Sequence, residues 1–475
     1  MAGFGDKKHS KKKSKAQLIR QSTVEAIHRR AVNYHLQGDL KRAEQGYREV
    51  INKGYMNYDT YLNLGVICKK TGNFDEATLL YTKAIEINPN DTDAYNNLSN
   101  LYFSLGNFKR AAAICKKSID INANNSEAYL TLGWSYKQLG NPDQALSTTL
   151  KSLELKPENP TAYMNLGAIY IDLSEYSKAL YYTLKSLEIE KNNPKALLNL
   201  SWIYFYEQKL DKSEASVQIS LQASNPTRSA SQRMLALINC AKGDVDEADN
   251  WLAKALKEEP KSTENELIEI AISTKKNEKF LNGSDRSEKS RHNRHSKDFT
   301  AISNIPVNSR VIEYLYKIES TDLNKLNEPT FGNARGSNYN FFRDNTDATN
   351  EIRKAIEACA ENSLNSKVCF SDSFYTILSG SGKVEKHAHI TPLDKHKDLN
   401  LGANKYALVY YLEVGELECT EPGFLKLYEP DDYIQPANGM VVIIPACRYH
   451  SVKYNGTKDR IIIGVNLYTT GPLKA

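Results

Sequence analysis

The chain has 475 residues, 40% of them hydrophobic and 25% charged, with a formal net charge of +5. That balance belongs to globular domains, two to four of them at ~100–200 residues each, and excludes a chain disordered throughout. The longest apolar runs, such as 440–445, fall far short of the ~20 residues of a membrane-spanning helix, and the N-terminus lacks the apolar core of a secretory leader.

Residues 1–23 read as a basic disordered tail: the first 20 carry seven Lys/Arg against one Asp. No aromatic residue is interleaved with the lysines to stack a base, so the tail reads as solubilising. Neither nucleic acid nor a membrane is expected as a partner.

A repeat of 34 residues follows. Small residues recur at Gly65, Ser99, Gly133, Gly167 and Ser201, each preceded by a leucine and followed twelve residues later by Ala77, Ala111, Ala145, Ala179 or Ser213. Two short helices per repeat account for this, because the small residues let the backbones approach and the large ones fill the gap to the next repeat. One such pair cannot bury its apolar face alone, so pairs must stack. Weaker units before and after bring the total to about seven over 24–260. Thr263 and Glu266 have capping-box spacing ahead of an apolar stripe, which predicts a terminal helix closing a solenoid over 24–272. The pattern resembles the tetratricopeptide repeat (TPR). That resemblance implies an all-α superhelical solenoid with a protein or peptide partner on its concave face. Asn63, Asn97, Thr131, Asn165 and Asn199 stand two residues before the small positions and are candidate peptide-binding residues, similar to the asparagine ladder of O-GlcNAc transferase.

Residues 273–300 are polar and basic, with almost no apolar side chains, and read as a flexible linker in which His292 and His295 are solvated.

Beyond it the period changes. A helix is predicted over 347–360, followed by strands over 368–378, 383–390, 406–412, 424–428, 440–445 and 461–468. Many short strands separated by turn residues indicate one β-sandwich or jelly-roll domain over 301–475. Its chemistry lies in His387 and His389, which share a strand face at i and i+2, in His450 after the apolar strand 440–445, and in Arg460 ten residues later. Three converging imidazoles suit a divalent metal, and an Arg one strand away suits a carboxylate. His396 falls in a Lys/Asp-rich loop and is expected at the surface.

Taken in order, the H-x-H motif, Tyr410 and Tyr411, the run 423–430, the Pro445 to His450 step and Arg460 to Asn466 resemble the Fe(II)- and 2-oxoglutarate-dependent oxygenases whose first motif is H-x-H. The resemblance implies a double-stranded β-helix with flanking helices. It makes His387 and His450 the principal iron ligands and His389 the third. Arg460 would hold the distal carboxylate of 2-oxoglutarate, with Tyr375 or Tyr411 adding a hydrogen bond. No catalytic residue beyond the metal site is assigned. Most of that superfamily has Asp or Glu where His389 stands, so Asp394, Asp398 or a water is an alternative third ligand. Ile462 also replaces the usual Ser. The resulting expectation is an oxygenase that hydroxylates a protein or peptide recruited by the solenoid. The alternative is a non-catalytic scaffold with a degenerate jelly roll. Seven scattered cysteines without a Cys-x-x-Cys pair argue against disulfides and predict a cytoplasmic location.

Overall fold

The computed structural model describes residues 15–222, 227–260, 262–283, 299–318, 321–322, 332–336, 341–344, 346–399 and 401–472. Most of the expected basic tail and most of the expected linker, with His292 and His295, lie outside them. Two compact units emerge, Met1–Leu139 with Gln144–Pro157, and Gly140–Asp143 with Glu158–Ala475.

The first unit holds hairpins of α1 (Lys15–Leu36) with α2 (Leu40–Asn52), α3 (Tyr58–Lys70) with α4 (Phe74–Ile87), α5 (Thr92–Ser104) with α6 (Phe108–Ile121), and α7 (Ser126–Gln138) with α8 (Pro142–Leu155). The end of the expected tail is therefore helical. Asparagines start many of these helices: the Thr60 and Ala128 backbone N–H groups donate to Asn57 and Asn125 side chains at 3.0 and 3.1 Å. Each such bond satisfies a donor that the first helical turn leaves orphaned. Gly65 shows why the repeat needs a small residue. A Cβ there would come within 2.6 Å of the Tyr81 ring, which packs across α3 from α4 in a core with Ala43, Tyr47 and Leu98.

The second unit begins with three more hairpins, α9 (Pro160–Asp172) with α10 (Tyr176–Ile189), α11 (Pro194–Tyr206) with α12 (Leu210–Gln222), and α13 (Arg228–Lys242) with α14 (Val245–Glu258). Helix α15 (Thr263–Gly283) follows. Two expectations change here. Thr263 is the first helical residue, and Ser262 caps instead, accepting from Glu264 N at 3.3 Å. The helix also runs to Gly283, into the stretch predicted to be flexible. Its apolar residues Ile268, Ile270 and Ile272 share a core with Leu235 of α13 and with Leu399, Leu401 and Tyr468 of the β domain. Helix α15 is thus shared by the hairpins and the sheets.

The β domain comprises β1 (Ala301–Asn304), α16 (Ser309–Lys317), β2 (Thr321–Asp322), β3 (Gly332–Gly336), α17 (Asp347–Leu364), β4 (Ser366–His387), β5 (Lys405–Glu413), β6 (Pro422–Leu427), β7 (Asp432–Ile434), β8 (Met440–Pro445), β9 (His450–Tyr454) and β10 (Arg460–Pro472). These form a sandwich of two antiparallel sheets. The hydrogen-bonded order is β1-β8-β5-β10-β4 and then β4-β9-β6-β7, with β3 also beside β4 and β2 beside β3. Strand β4 belongs to both: residues 366–378 pair with β10, and residues 382–387 pair with β9. Two strands were predicted here, with Ser379 to Gly382 between them; instead one strand runs from Ser366 to His387, and Gly380 takes a left-handed φ of +56° within it.

Alternation on the central strands sorts their side chains. Ile461, Ile463, Val465 and Leu467 of β10 face α16 and α17, in a core with Val311, Leu315, Ile352 and Ile356. The even-numbered Arg460, Ile462 and Asn466 line a cavity on the other face.

Candidate metal centre

His387 ends β4 and pairs in register with His450, the first residue of β9. Adjacent strands lie ~4.8 Å apart, so two side chains opposite one another and on one face meet. The ring centroids are 4.3 Å apart. His389 follows two residues beyond the strand end and is held by its own backbone N–H, which donates to Ala446 O at 2.8 Å. Its Nε2 is 3.3 Å from His450 Nε2. One nitrogen from each of the three rings lies within 4.8 Å of the others. Two nitrogens each ~2.1 Å from one ion, at tetrahedral or octahedral angles, are about 3.0–3.4 Å apart, so His389 and His450 are spaced for a shared metal, with the His387 nitrogen close by.

The protonation state fits as well. His450 Nδ1 lies 3.3 Å from Arg448 O, an arrangement that places the proton on Nδ1 and the lone pair on Nε2. Burial, then the neighbouring His387, pushes His450 down to about 3. Burial, then His450 and His387, holds His389 well below the usual imidazole range. Neutral imidazoles are the form that binds metal.

Among the described residues no carboxylate joins the three histidines. Asp394, weighed above as a ligand, is engaged elsewhere. It accepts from Lys405 Nζ at 2.8 Å, from Tyr468 Oη at 2.5 Å, and from Thr391 N and Oγ1 at 2.7 Å each. Three of those bonds fall on Oδ2 and one on Oδ1, which ties the carboxylate to these donors. Asp398 also lies outside the histidine group.

The histidines open onto a cavity of about 640 Å³ that Arg460 also lines. Arg460 is 1% exposed. Its Nη1 donates to Pro422 O at 3.3 Å, while Nε and Nη2 have no hydrogen-bond partner among the described residues. The guanidinium lies 5.0 Å from the Tyr411 ring centroid. Burial lowers its pKa, opposed by Tyr411 and Tyr454, yet an arginine stays charged in a protein. A buried guanidinium with spare donors and no carboxylate is a receptor for an anion.

Of the two candidate tyrosines, Tyr411 lines this cavity and Tyr375 does not. Tyr375 faces the opposite side of the sheet, edge-on to Phe341 at 5.5 Å, because it occupies an odd position on β4. The assignment of Tyr375 to the cosubstrate is corrected accordingly. His396 is a second correction. It is buried, and its ring stacks on Phe205 of α11 at 4.2 Å with Nε2 3.3 Å from Phe205 O. The loop is polar in sequence, but Leu393, Leu399 and Leu401 anchor it to the helices. Sequence reasoning missed Asp372, Phe374 and Lys405 in the cavity wall; strand alternation counted from Arg460 and Tyr411 is the signal that leads to them.

Several of the polar repeat positions make contacts within the chain. The Thr131 hydroxyl donates to Asn100 at 2.8 Å, and Asn199 Nδ2 donates to Met164 O at 2.9 Å, while Asn63 is half-buried. Asn165 is buried and Asn97 half-buried.

The fold and site define a TPR hairpin array joined to an antiparallel β-sandwich with a histidine triad that can hold a metal. Four tetratricopeptide-repeat models match, over residues 58–91, 80–113, 102–152 and 130–196. The N-terminal half is a TPR region, which suggests protein partners. Among solved structures, a tetratricopeptide repeat protein from Parabacteroides merdae is 20% identical, with a TM-score of 0.46 over 52% of this chain and 97% of that one. The thermophilic TPR protein TTC0263 of Thermus thermophilus is 23% identical, with a TM-score of 0.34 over 42% and 99%. The APC/C hetero-tetramer Cut9-Hcn1 is 18% identical, with a TM-score of 0.45 over 50% and 47%. No curated protein matches. Among the described residues no helix is long and apolar enough to cross a membrane.

Proposed function

We propose that the β domain is an Fe(II)- and 2-oxoglutarate-dependent oxygenase that hydroxylates a polypeptide recruited by the repeat hairpins. One observation carries this reading: three histidines converge in the same cavity as a buried arginine that lacks an acidic partner among the described residues. The strand order β8-β5-β10-β4 in one sheet and β4-β9-β6-β7 in the other supports the double-stranded β-helix.

His387, His389 and His450 would hold the iron. Arg460 would bind the distal carboxylate of 2-oxoglutarate in the manner of a fork, with Tyr411 against the guanidinium. The bound pair supplies oxidative decarboxylation: 2-oxoglutarate and O2 give succinate and CO2, one oxygen atom entering succinate and the other a substrate C–H bond. Leu378, Leu425, Val452 and Ile462 line the space around Arg460 with apolar surface. They exclude water and strengthen every electrostatic contact there. We assign the protein to the cytoplasm, consistent with seven free cysteines.

A second reading is a scaffold whose β domain no longer turns over. The histidine at 389, where a carboxylate would complete the common facial triad, favours it. Anaerobic titration with Fe(II) and 2-oxoglutarate separates the two. Metal-dependent binding of 2-oxoglutarate, lost in His450→Ala and Arg460→Ala, supports the oxygenase. No binding by the wild type leaves the scaffold.

A further inference from the structure

The cavity has two chemically different ends. Arg460, Ile462, Gly464 and Asn466 follow one another on one face of β10, opposite Leu378, Thr376, Phe374 and Asp372 of β4. Six residues of strand separate Arg460 from Asn466, roughly 20 Å at ~3.3 Å per residue. Phe374 stands between them and stacks on His389 at 6.5 Å, so the histidines lie over the middle. The Arg460 end suits an anion. The other end has the opposite character.

There, Asn466 Nδ2 donates to Asp372 Oδ1 at 2.6 Å. A carboxylate only accepts, so this contact fixes the amide's orientation. Asn466 Oδ1 is left as a second acceptor, buried at 5% residue exposure and without a partner among the described residues. The site is built deliberately into the strand. Leu467 pairs with Phe370, so Ser371 is an extra residue in β4, a bulge of the kind that re-aims its neighbours. The Ser371 hydroxyl reaches Asp372 Oδ2 at 3.1 Å and Asn466 O at 3.2 Å. The cation facing Asp372 is Lys405, and its ammonium is bound to Asp394, both side chains being buried. That pair is neutral as a unit, so the carboxylate of Asp372 sets the charge of this end. Ala407, Phe374 and Ile390 supply apolar wall nearby.

We infer that Asp372 and Asn466 form a substrate subsite for a cationic nitrogen on an aliphatic stem, the side chain of a lysine or arginine in a polypeptide. The stem would lie along the apolar wall and the charged head would meet two acceptors, which is how such side chains divide between apolar and polar surroundings. The assignment of the occupant as substrate rests on the oxygenase reading; the binding itself does not.

The test uses the full chain and three probes: the N-acetyl N-methylamides of lysine, arginine and norleucine. Binding is followed by ligand-observed NMR. The lysine or arginine probe should bind saturably and at least tenfold more tightly than norleucine, which has the same stem without the charge. Asp372→Asn should bring the cationic probes to the norleucine level, and Asn466→Ala should weaken them severalfold. Co(II) titration of each variant confirms an intact histidine site. Equal binding of norleucine by the wild type overturns the proposal, as does undiminished lysine and arginine binding by a Co(II)-competent Asp372→Asn. Preference between lysine and arginine identifies the head group. Failure of the wild type to bind Fe(II) or 2-oxoglutarate would sink the oxygenase reading and leave the probe result standing.

Discussion

Phe205, near the end of α11, stacks face to face on His396, 191 residues later, with ring centroids 4.2 Å apart. His396 sits in the loop that leaves the metal-site histidines and enters β5. The hairpin of α11 and α12 is therefore built into the support of the candidate metal site.

Acid should loosen this contact. Burial lowers the His396 pKa below its ordinary 6.5, partly offset by its bond to Phe205 O. Between that lowered value and 6.5, the unfolded chain binds a proton that the folded one refuses, so stability falls as pH falls through the window. Other buried histidines act in the same direction, so the comparison must isolate this one. Thermal unfolding at pH 7.5 and 5.5 should show a smaller acid-induced drop in Tm for His396→Gln than for the wild type. An equal drop would remove His396 from the account.

The Lys405–Asp394 ion pair is more costly to break. Both side chains are buried, and Asp394 also takes Tyr468 and Thr391 as donors. Removing one partner leaves an uncompensated buried charge, at about 3–5 kcal/mol. Lys405→Met should lose stability of that order in chemical denaturation. Asp394→Asn combined with Lys405→Met should lose less than the two single changes together, because neither charge remains.

Gly423 holds Arg460 in place by having no side chain. A Cβ there would fall 1.8 Å from Arg460 Nη1, and its φ of +79° disfavours other residues independently. Gly423→Ala should displace the guanidinium and weaken 2-oxoglutarate binding at least tenfold. Fe(II) binding at the histidines should persist, which an anaerobic metal titration of the same variant measures.

The triad itself predicts an asymmetry. His450 is the most buried of the three and is held through Nδ1, so His450→Ala should abolish Fe(II) binding. His389→Asp should retain it, because a carboxylate there gives the common two-histidine, one-carboxylate set. Loss of Fe(II) in His389→Asp would show that the imidazole is specifically required.

These relationships were unequally legible in the sequence. Gly65, Ser99 and Gly133 reveal the repeats because each marks a place where one helix must touch the next. His387 and Arg460 were legible because strand position decides which side chains face the cavity, whereas His389 lies beyond the end of a strand expected to reach 390 and is brought in by its bond to Ala446 O. Tyr375 and Tyr411 could not be told apart on that basis, since a tyrosine's face depends on strand register. Asp394 and His396 were hidden for another reason: their burial depends on Phe205, Lys405 and Tyr468, and no local pattern announces a partner so distant. The strand predicted to break at Ser379 shows the same limit, because Gly and Ser fit a turn and a long bent strand equally well.

Strand β10 lies between β4 and β5, yet among the described residues it follows every other strand in chain order. During synthesis the hairpins α9–α14 emerge and can pack while both of its neighbours still wait with open hydrogen-bonding edges. Such edges invite pairing with other chains. A ribosome that stalls before Arg460 would leave a product with all three histidines but an unclosed sheet. Closure of the sheet and completion of the cavity are thus one event, since the residues that define the cavity's two ends, Arg460 and Asn466, arrive together on the strand that seals it.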